Sequence, residues 1–409
     1  MGLIIKIAWR NLWRNPRRSI ILVSAIVICI SALLLTLSYI NGVLRQMVQS
    51  TIDFHIGEME IYKKGFNDDH NPGKYIKDPA EIYELIQESP GVKAFAPRVE
   101  GRGLIASSYA SSGVQVIGIV PAREGKITLV KRSVIKGNYL EKDEDHVILI
   151  GDKMARKLKV DLGDKVVITV QNIKDELASD AYRVTGIFKT ISKDFDKYMV
   201  YIPKRMATKL LEIESGVTGI ALRMENMEAA RDLQVMVNRQ FEKQDVEALT
   251  WGELEPMIQE IVNISKQWNF VFFGAIFIIL SIGIINTQNI AVYERMHELG
   301  ILKAMGTKPF FIFSMVMMET LFLGIVGLAA GFFITSPIIL YFANEGLNLA
   351  VFSEGLQKFG LGSTIFFNIE FTDIIYCAVA ILVTAFLGAL IPALKAGRLK
   401  PVKAIRNTE

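Results

Sequence analysis

Four apolar blocks punctuate the chain, and a long polar segment separates the first from the second. A helix needs about 20 apolar residues to cross the hydrocarbon core of a bilayer. Residues 19–40, "SIILVSAIVICISALLLTLSYI", meet that length without a charge. The second block, 268–290, contains "FVFFGAIFIILSIGIINT" and continues toward Val292. The third, 310–343, is interrupted by one acid, Glu319, and the fourth, 373–394, reads "DIIYCAVAILVTAFLGALIPAL". The first block is too long for the apolar core of a cleavable leader and reads as an uncleaved anchor. The pattern predicts an α-helical membrane protein with four transmembrane helices.

Between residues 41 and 267 the periodicity changes. "GEMEIYK", "GVQVIGIV", "HVILIG", "DKVVITVQN", "YRVTGIF" and "YMVYIP" read as strands. "PAEIYELIQES", "DKMARKLKV", "PKRMATKLLEI" and "NMEAARDLQVMVNRQFEK" read as helices. The prediction is a large mixed α/β domain between spans one and two. At its margins, "NGVLRQMVQSTIDFH" extends the first span as a helix. "ELEPMIQEIVNISKQW" places Met257, Ile258, Ile261, Ile264 and Trp268 at helical spacing before the second. Two such helices are either a stalk that transmits movement or plain helical linkers.

Lys and Arg near span ends set sidedness. Lys6, Arg10, Arg14, Arg17 and Arg18 crowd the segment 1–18. Lys395, Arg398, Lys400, Lys403 and Arg406 crowd the tail, 395–409. The 291–309 loop carries Arg295, Lys303 and Lys308, whereas the 344–372 loop has only Lys358 beside Glu345, Glu354 and Glu370. Both termini and the 291–309 loop are therefore expected in the cytoplasm, and 41–267 and 344–372 outside. "AWRNLWRNPRRS" reads either as an amphipathic helix at the headgroups, ended by Pro16, or as a plain basic flank.

Composition narrows the chemistry. The hydrophobic fraction of 51% fits neither a disordered chain nor an ordinary soluble enzyme, and a net charge of +4 does not suggest nucleic-acid binding. Cys29 and Cys377 lie in apolar blocks without a CxxC pair. His55, His70, His146 and His297 lack metal-ligand spacing. Residues 41–267 hold 32 Lys/Arg and 34 Asp/Glu, a near-neutral domain. It has no GxSxG elbow, P-loop or dinucleotide fingerprint. The acids Asp143, Glu144, Asp145 and Asp152 lack EF-hand spacing, and "DLGD", from Asp161 to Asp164, reads as a turn. No catalytic, cofactor or metal site is expected in the chain.

Three stretches carry a resemblance: "AWRNLWRNPRRS" at the start, "ERMHELGILKAMGTKPFFIFSMVMMETLFLGIVGLAAGF" from Glu294, and "IPALKAGRLKPVKAIR" from Ile391. The segment "GVQVIGIVPAREG" through "KVVITV" adds to them. Together they resemble the MacB/FtsX-type ABC transporter permeases, closest in layout to the lipoprotein-releasing LolC/LolE permeases. The resemblance implies a permease subunit, not itself an enzyme, working with a separate cytoplasmic ATPase that binds ATP and Mg. It also implies a second permease subunit, identical or different, in the inner membrane. The cargo it implies is a lipoprotein or another amphiphile taken from membrane lipid. Control of a periplasmic cell-wall hydrolase, as in FtsX, and drug or peptide export, as in MacB, are the alternatives. Members of the MacB kind carry a fused ATPase, from which this chain departs.

On that resemblance, the stretch from Glu294 to Ala304 is a coupling helix docking on the ATPase. Its candidate contacts are Glu294, Arg295, Glu298, Leu299, Gly300, Leu302, Lys303 and Ala304. Composition alone supports a short helix there, stopped by Gly306, with Gly300 leaving room for a partner's close approach. Glu319 is a functional candidate by its depth in an apolar block. A block this long also allows it a structural place near the cytoplasmic surface, bonded to a neighbouring helix. Gly324, Gly327 and Gly331 allow close helix approach, either at a dimer seam or within the subunit. Pro337 is expected to kink the outer part of that helix.

Overall fold

The computed structural model describes residues 2–140 and 145–400, without the side chains of Leu3 and Lys358. Asp143, Glu144, Lys403 and Arg406, with the end of the closing motif, lie outside the described residues. The chain forms two compact units. One comprises residues up to 45, 262–348 and 365 onward; the other comprises 46–261 with 349–364.

The first unit opens with α1 (Gly2–Arg14) and α2 (Pro16–Thr51). The break falls at Asn15. Proline lacks the N–H a helix interior needs but suits a first turn, so Pro16 ends one helix and starts the next. A single π-helical turn, Ile52–Ile56, follows α2.

The second unit is built on ten strands: β1 (Met59–Lys63), β2 (Val92–Ala106), β3 (Ser111–Ile119), β4 (Val134–Gly137) and β5 (Val147–Gly151). They continue with β6 (Lys165–Gln171), β7 (Leu177–Phe188), β8 (Met199–Pro203), β9 (Gly219–Met224) and β10 (Val246–Thr250). Among the described residues, four helices longer than a single turn accompany them: α3 (Ala80–Glu88), α4 (Asp152–Leu158), α5 (Lys204–Leu210) and α6 (Met227–Gln240). The sheet runs β10-β1-β9-β2-β3-β8-β5-β7-β4, and β6 pairs with both β2 and β7. The strands β2-β3-β8-β5-β7-β6 thus close into a ring. Ring closure removes exposed strand edges.

The two largest buried clusters of this unit follow from the topology. Val99, Ile105, Val116, Ile150, Val166 and Val184 fill the ring, with Met154 and Leu158 of α4 and Met206 and Leu210 of α5. Ile61, Ile220 and Leu222 pack against Ile82 and Ile86 of α3 and Leu233 and Val237 of α6. Strand β2 serves both, pairing β9 through its first half and β3 and β6 through its second. At Gly103 a Cβ would stand 2.2 Å from the Thr169 carbonyl oxygen of β6, so only glycine permits that approach.

Where β2 passes from one core to the other, it carries Arg98, which is fully buried. The guanidinium grips Glu124 with Nε and Nη2 at 3.1 and 2.6 Å, and reaches Glu60 with Nη1 at 2.5 Å. Glu124 ends a single helical turn, Pro121–Glu124, and also accepts from Thr128 at 3.1 Å. Glu100 is buried close by and accepts from Gln115 at 3.2 Å. One cation is therefore shared between two carboxylates, with a third buried within reach of its charge. Burial, with Glu100 and Glu124 nearby, pushes Glu60 up to about 8 against the pull of Arg98. Burial likewise raises Glu100. The Tyr62 hydroxyl is hydrogen-bonded to Glu60, and a protonated carboxyl can donate as well as accept.

A carboxyl whose folded value lies above its unfolded one stabilises the fold below the unfolded value and loses that contribution as pH rises toward the folded value. The domain is therefore expected to lose stability from about pH 6.5 to about pH 8, by at most about 1.4 kcal/mol per pH unit from Glu60; below that range His55 and His70, whose burial holds them under the usual imidazole range, act in the opposite sense. Thermal unfolding across that range checks this. Glu60→Gln, which imitates the protonated form, should flatten the slope.

The first unit resumes with α7 (Pro256–Glu294), α8 (Met296–Ala304), α9 (Pro309–Asn344) and α10 (Phe371–Gly397). The second span is thus longer at both ends than its apolar core, beginning at Pro256 and running on to Glu294. Helix α9 continues through Pro337. A capping box of Glu370 and Asp373 starts α10.

Candidate functional site: the helix between the second and third spans

Helix α8 is short and tightly delimited. Glu294 closes α7 and Arg295 forms the turn, so α8 begins at Met296, two residues later than composition suggests. It ends in a Schellman motif: Thr307 N–H donates to the Leu302 carbonyl at 3.1 Å and Gly306 N–H to that of Lys303 at 3.0 Å. Gly306 sits at φ 90°, a region open mainly to glycine.

Its inner face is apolar and meets three other helices. Leu299 is buried among Ile312, Met315 and Val316 of α9 and Ala389, Ala393 and Ala396 of α10. Leu302 and, from α1, Ile4 and Ile7 pack against the same cluster. Gly300 is buried too. The outer face presents His297, Glu298, Ile301, Ala304 and Met305.

Polar bonds fix α8 further. Arg14 of α1 donates through Nη1 to Glu298 at 2.9 Å, and Arg295 lies 4.0 Å from the same carboxylate. The hydrogen bond and charge of Arg14 hold Glu298 below the usual carboxylate range. Lys303 Nζ donates to the Leu399 carbonyl, beyond the end of α10, at 2.6 Å.

Glu319 lies beneath these contacts, 2% exposed on α9. Arg18 of α2 donates to it at 2.7 Å and Arg295 at 2.9 Å, so each oxygen has its own cation. Arg18 also stands 3.8 Å from Glu294. The acid in the apolar block is thus paired with arginines from two other segments, a structural place bonded to neighbouring helices. The glycines have partners in the same chain. A Cβ at Gly324 would meet Ala385 of α10 at 3.2 Å, and at Gly327 and Gly331 it would meet Ile26 and Ile30 of α2 at 2.7 and 2.0 Å. Of the two readings of this small-residue stripe, packing within the subunit is the one the contacts support.

Arg18 carried no signal that sequence reading could use to pair it with Glu319, because the two are 301 positions apart. Beside α8, Asn289, Val292, Tyr293, Met296, Leu394 and Arg398 line an open groove of about 580 Å³. Among the described residues no group of three His, Cys, Asp or Glu is placed to hold a metal.

All four long helices are apolar enough to cross a membrane. With the α/β unit they define a multi-pass membrane protein carrying an extracytoplasmic domain. The description "MacB-like periplasmic core domain" matches residues 19–240, and "FtsX-like permease C-terminal" matches 270–401. The chain belongs to the MacB/FtsX-type family of ABC transporter permeases and resembles LolC. The lipoprotein-releasing system transmembrane protein LolC of Xylella fastidiosa (strain 9a5c) is 22% identical over 82% of this chain and 82% of its own. The pyoverdine export ATP-binding/permease protein PvdT of Pseudomonas fluorescens is 24% identical over 98% of this chain and 59% of its own. The periplasmic region of MacB from Actinobacillus actinomycetemcomitans covers 50% of this chain and 92% of its own, at 15% identity and a TM-score of 0.35. Membership of this family implies a partner ATPase subunit.

Proposed function

We propose that this chain is the permease subunit through which a separate cytoplasmic ATPase drives the α/β domain to release lipoproteins, or other amphiphiles, from the inner membrane. Both termini and α8 face the cytoplasm on this reading, in line with the basic residues around them. A second permease subunit pairs with it, and ATP and Mg stay on the ATPase. The observation that carries the reading is the way α8 is held. Its inner face is packed on α1, α9 and α10, while Ile301 and Met305 point outward, 41% and 70% exposed. A helix anchored on three others passes on a push instead of absorbing it. The match to LolC over most of the chain supports lipoprotein release as the task, and the match to PvdT keeps export of a small amphiphile as the second reading.

The test is a double replacement on the outer face, Ile301→Arg with Met305→Arg. The variant is expected to remain folded in the membrane but to lose the co-purifying ATPase. Glu298→Lys, which sets a cation against Arg14 and Arg295, should weaken the same step. Gly300→Trp should instead damage folding, since that position is buried. An unchanged yield of ATPase with the double variant would sink the proposal.

A further inference from the structure

Helix α1 has three distinct sides. At about 100° per residue, Ile4, Ile7, Ala8, Asn11 and Leu12 share one sector, and these are its buried and half-buried residues. Ile5, Trp9 and Trp13 follow one another at intervals of four along the next sector, 46%, 46% and 65% exposed. Lys6 and Arg10 occupy the third, both exposed, with exposed Arg17 just beyond in the first turn of α2. The first acid in the chain is Asp53, so nothing within α1 or the start of α2 offsets these charges. Arg14 and Arg18 are engaged by Glu298 and Glu319. Among the described residues Lys6, Arg10 and Arg17 enter no ion pair.

Depth follows from helix length. Helix α9 has 36 residues, about 54 Å at 1.5 Å each, against about 30 Å of hydrocarbon. Helix α1 lies along the first turns of α9: Ile4 and Ile7 join the cluster of Ile312, Met315 and Val316, and Trp9 meets Phe322 edge-on at 5.6 Å. Those turns are the part of α9 available to overhang the hydrocarbon. At such a boundary an exposed tryptophan ridge belongs among the acyl-chain ends, and cations beside it belong among headgroups.

We propose that α1 and the first turn of α2 form a binding site for anionic phospholipid. Ile5, Trp9 and Trp13 seat the helix in the bilayer surface, and Lys6, Arg10 and Arg17 hold lipid phosphates. The charge complement, three free cations and no free acid, selects anionic over zwitterionic headgroups, on the order of a hundredfold for three cations at a membrane surface. The site stands apart from the coupling reading, since it needs no ATPase. It bears on that reading because Arg14, on the same helix, holds Glu298.

The test uses the full chain with Trp251→Phe and Trp268→Phe, leaving Trp9 and Trp13 as the only indoles. It is reconstituted in phosphatidylcholine nanodiscs containing a minor fraction of phosphatidylglycerol. Brominated chains, which quench tryptophan on contact, are carried in one sample by the phosphatidylglycerol and in another by an equal amount of the phosphatidylcholine. Stronger quenching by brominated phosphatidylglycerol is expected, and Lys6→Gln, Arg10→Gln and Arg17→Gln together should erase the difference. Equal quenching by the two lipids in the parent chain overturns the proposal. So does a preference that survives the triple replacement, because it would then come from other residues.

Discussion

Arg98→Met is expected to be the most damaging single change in the α/β domain, costing about 3–5 kcal/mol. The methionine roughly preserves the apolar stem, so the loss is electrostatic. It leaves Glu60 and Glu124 buried without their cation, beside a third buried acid, Glu100. Desolvation makes each ionised carboxylate costly there, and the cheapest response is to protonate or unfold. Chemical unfolding of the purified protein measures the loss. Adding Glu60→Gln and Glu124→Gln to Arg98→Met should recover part of it, since the amides are neutral. If the triple variant is no more stable than Arg98→Met alone, the loss reflects packing and the electrostatic account is wrong.

The second large effect belongs to Glu319. Glu319→Leu removes the acceptor for Arg18 and Arg295, whose side chains are only 12% and 13% exposed. Breaking a buried pair by removing one partner costs about 3–5 kcal/mol, against about 0–1 kcal/mol for an exposed pair. Glu319→Gln should fall between leucine and the parent chain, because it retains one acceptor oxygen but not the charge. Thermal unfolding of the detergent-purified protein ranks the three. A second readout separates local from global failure. A cysteine placed at Met305 should label faster in Glu319→Leu if α8 loosens when Arg295 loses its anchor. Equal stability of the leucine variant and the parent chain would show that the clasp contributes nothing.

What the chain discloses by pattern alone divides along physical lines. The four spans were legible because hydrophobicity over about 20 residues is a local property. So was the stop at Gly306, because a glycine after a helical run answers one backbone requirement. Six strands were visible in short apolar runs such as "HVILIG". Strand β2 was not, although it is the longest at 15 residues. Pro97, Arg98, Glu100, Gly101 and Gly103 break its alternation, and all but Pro97 answer to something outside the strand: a buried ion cluster for Arg98 and Glu100, a neighbour's close approach for Gly101 and Gly103. The short β4, β9 and β10 were missed as well. The burial of Gly300 was not legible either. Burial on α8 depends on helices that come together only in the fold. The pairing of Glu319 with Arg18 lies beyond sequence reading for the same reason.

The position of β1 sets a schedule for synthesis. It lies between β9 and β10, so its last partner begins about 180 residues after it ends. A ribosome adding about 5–20 residues per second needs roughly 10–40 s to supply that partner. Throughout this interval the first span can already be inserted while β1 waits with an open edge, exposed to proteases and to wrong pairing with a neighbouring nascent chain. Slowing elongation downstream of codon 63 should therefore lower the yield of mature protein more than an equal delay after codon 250.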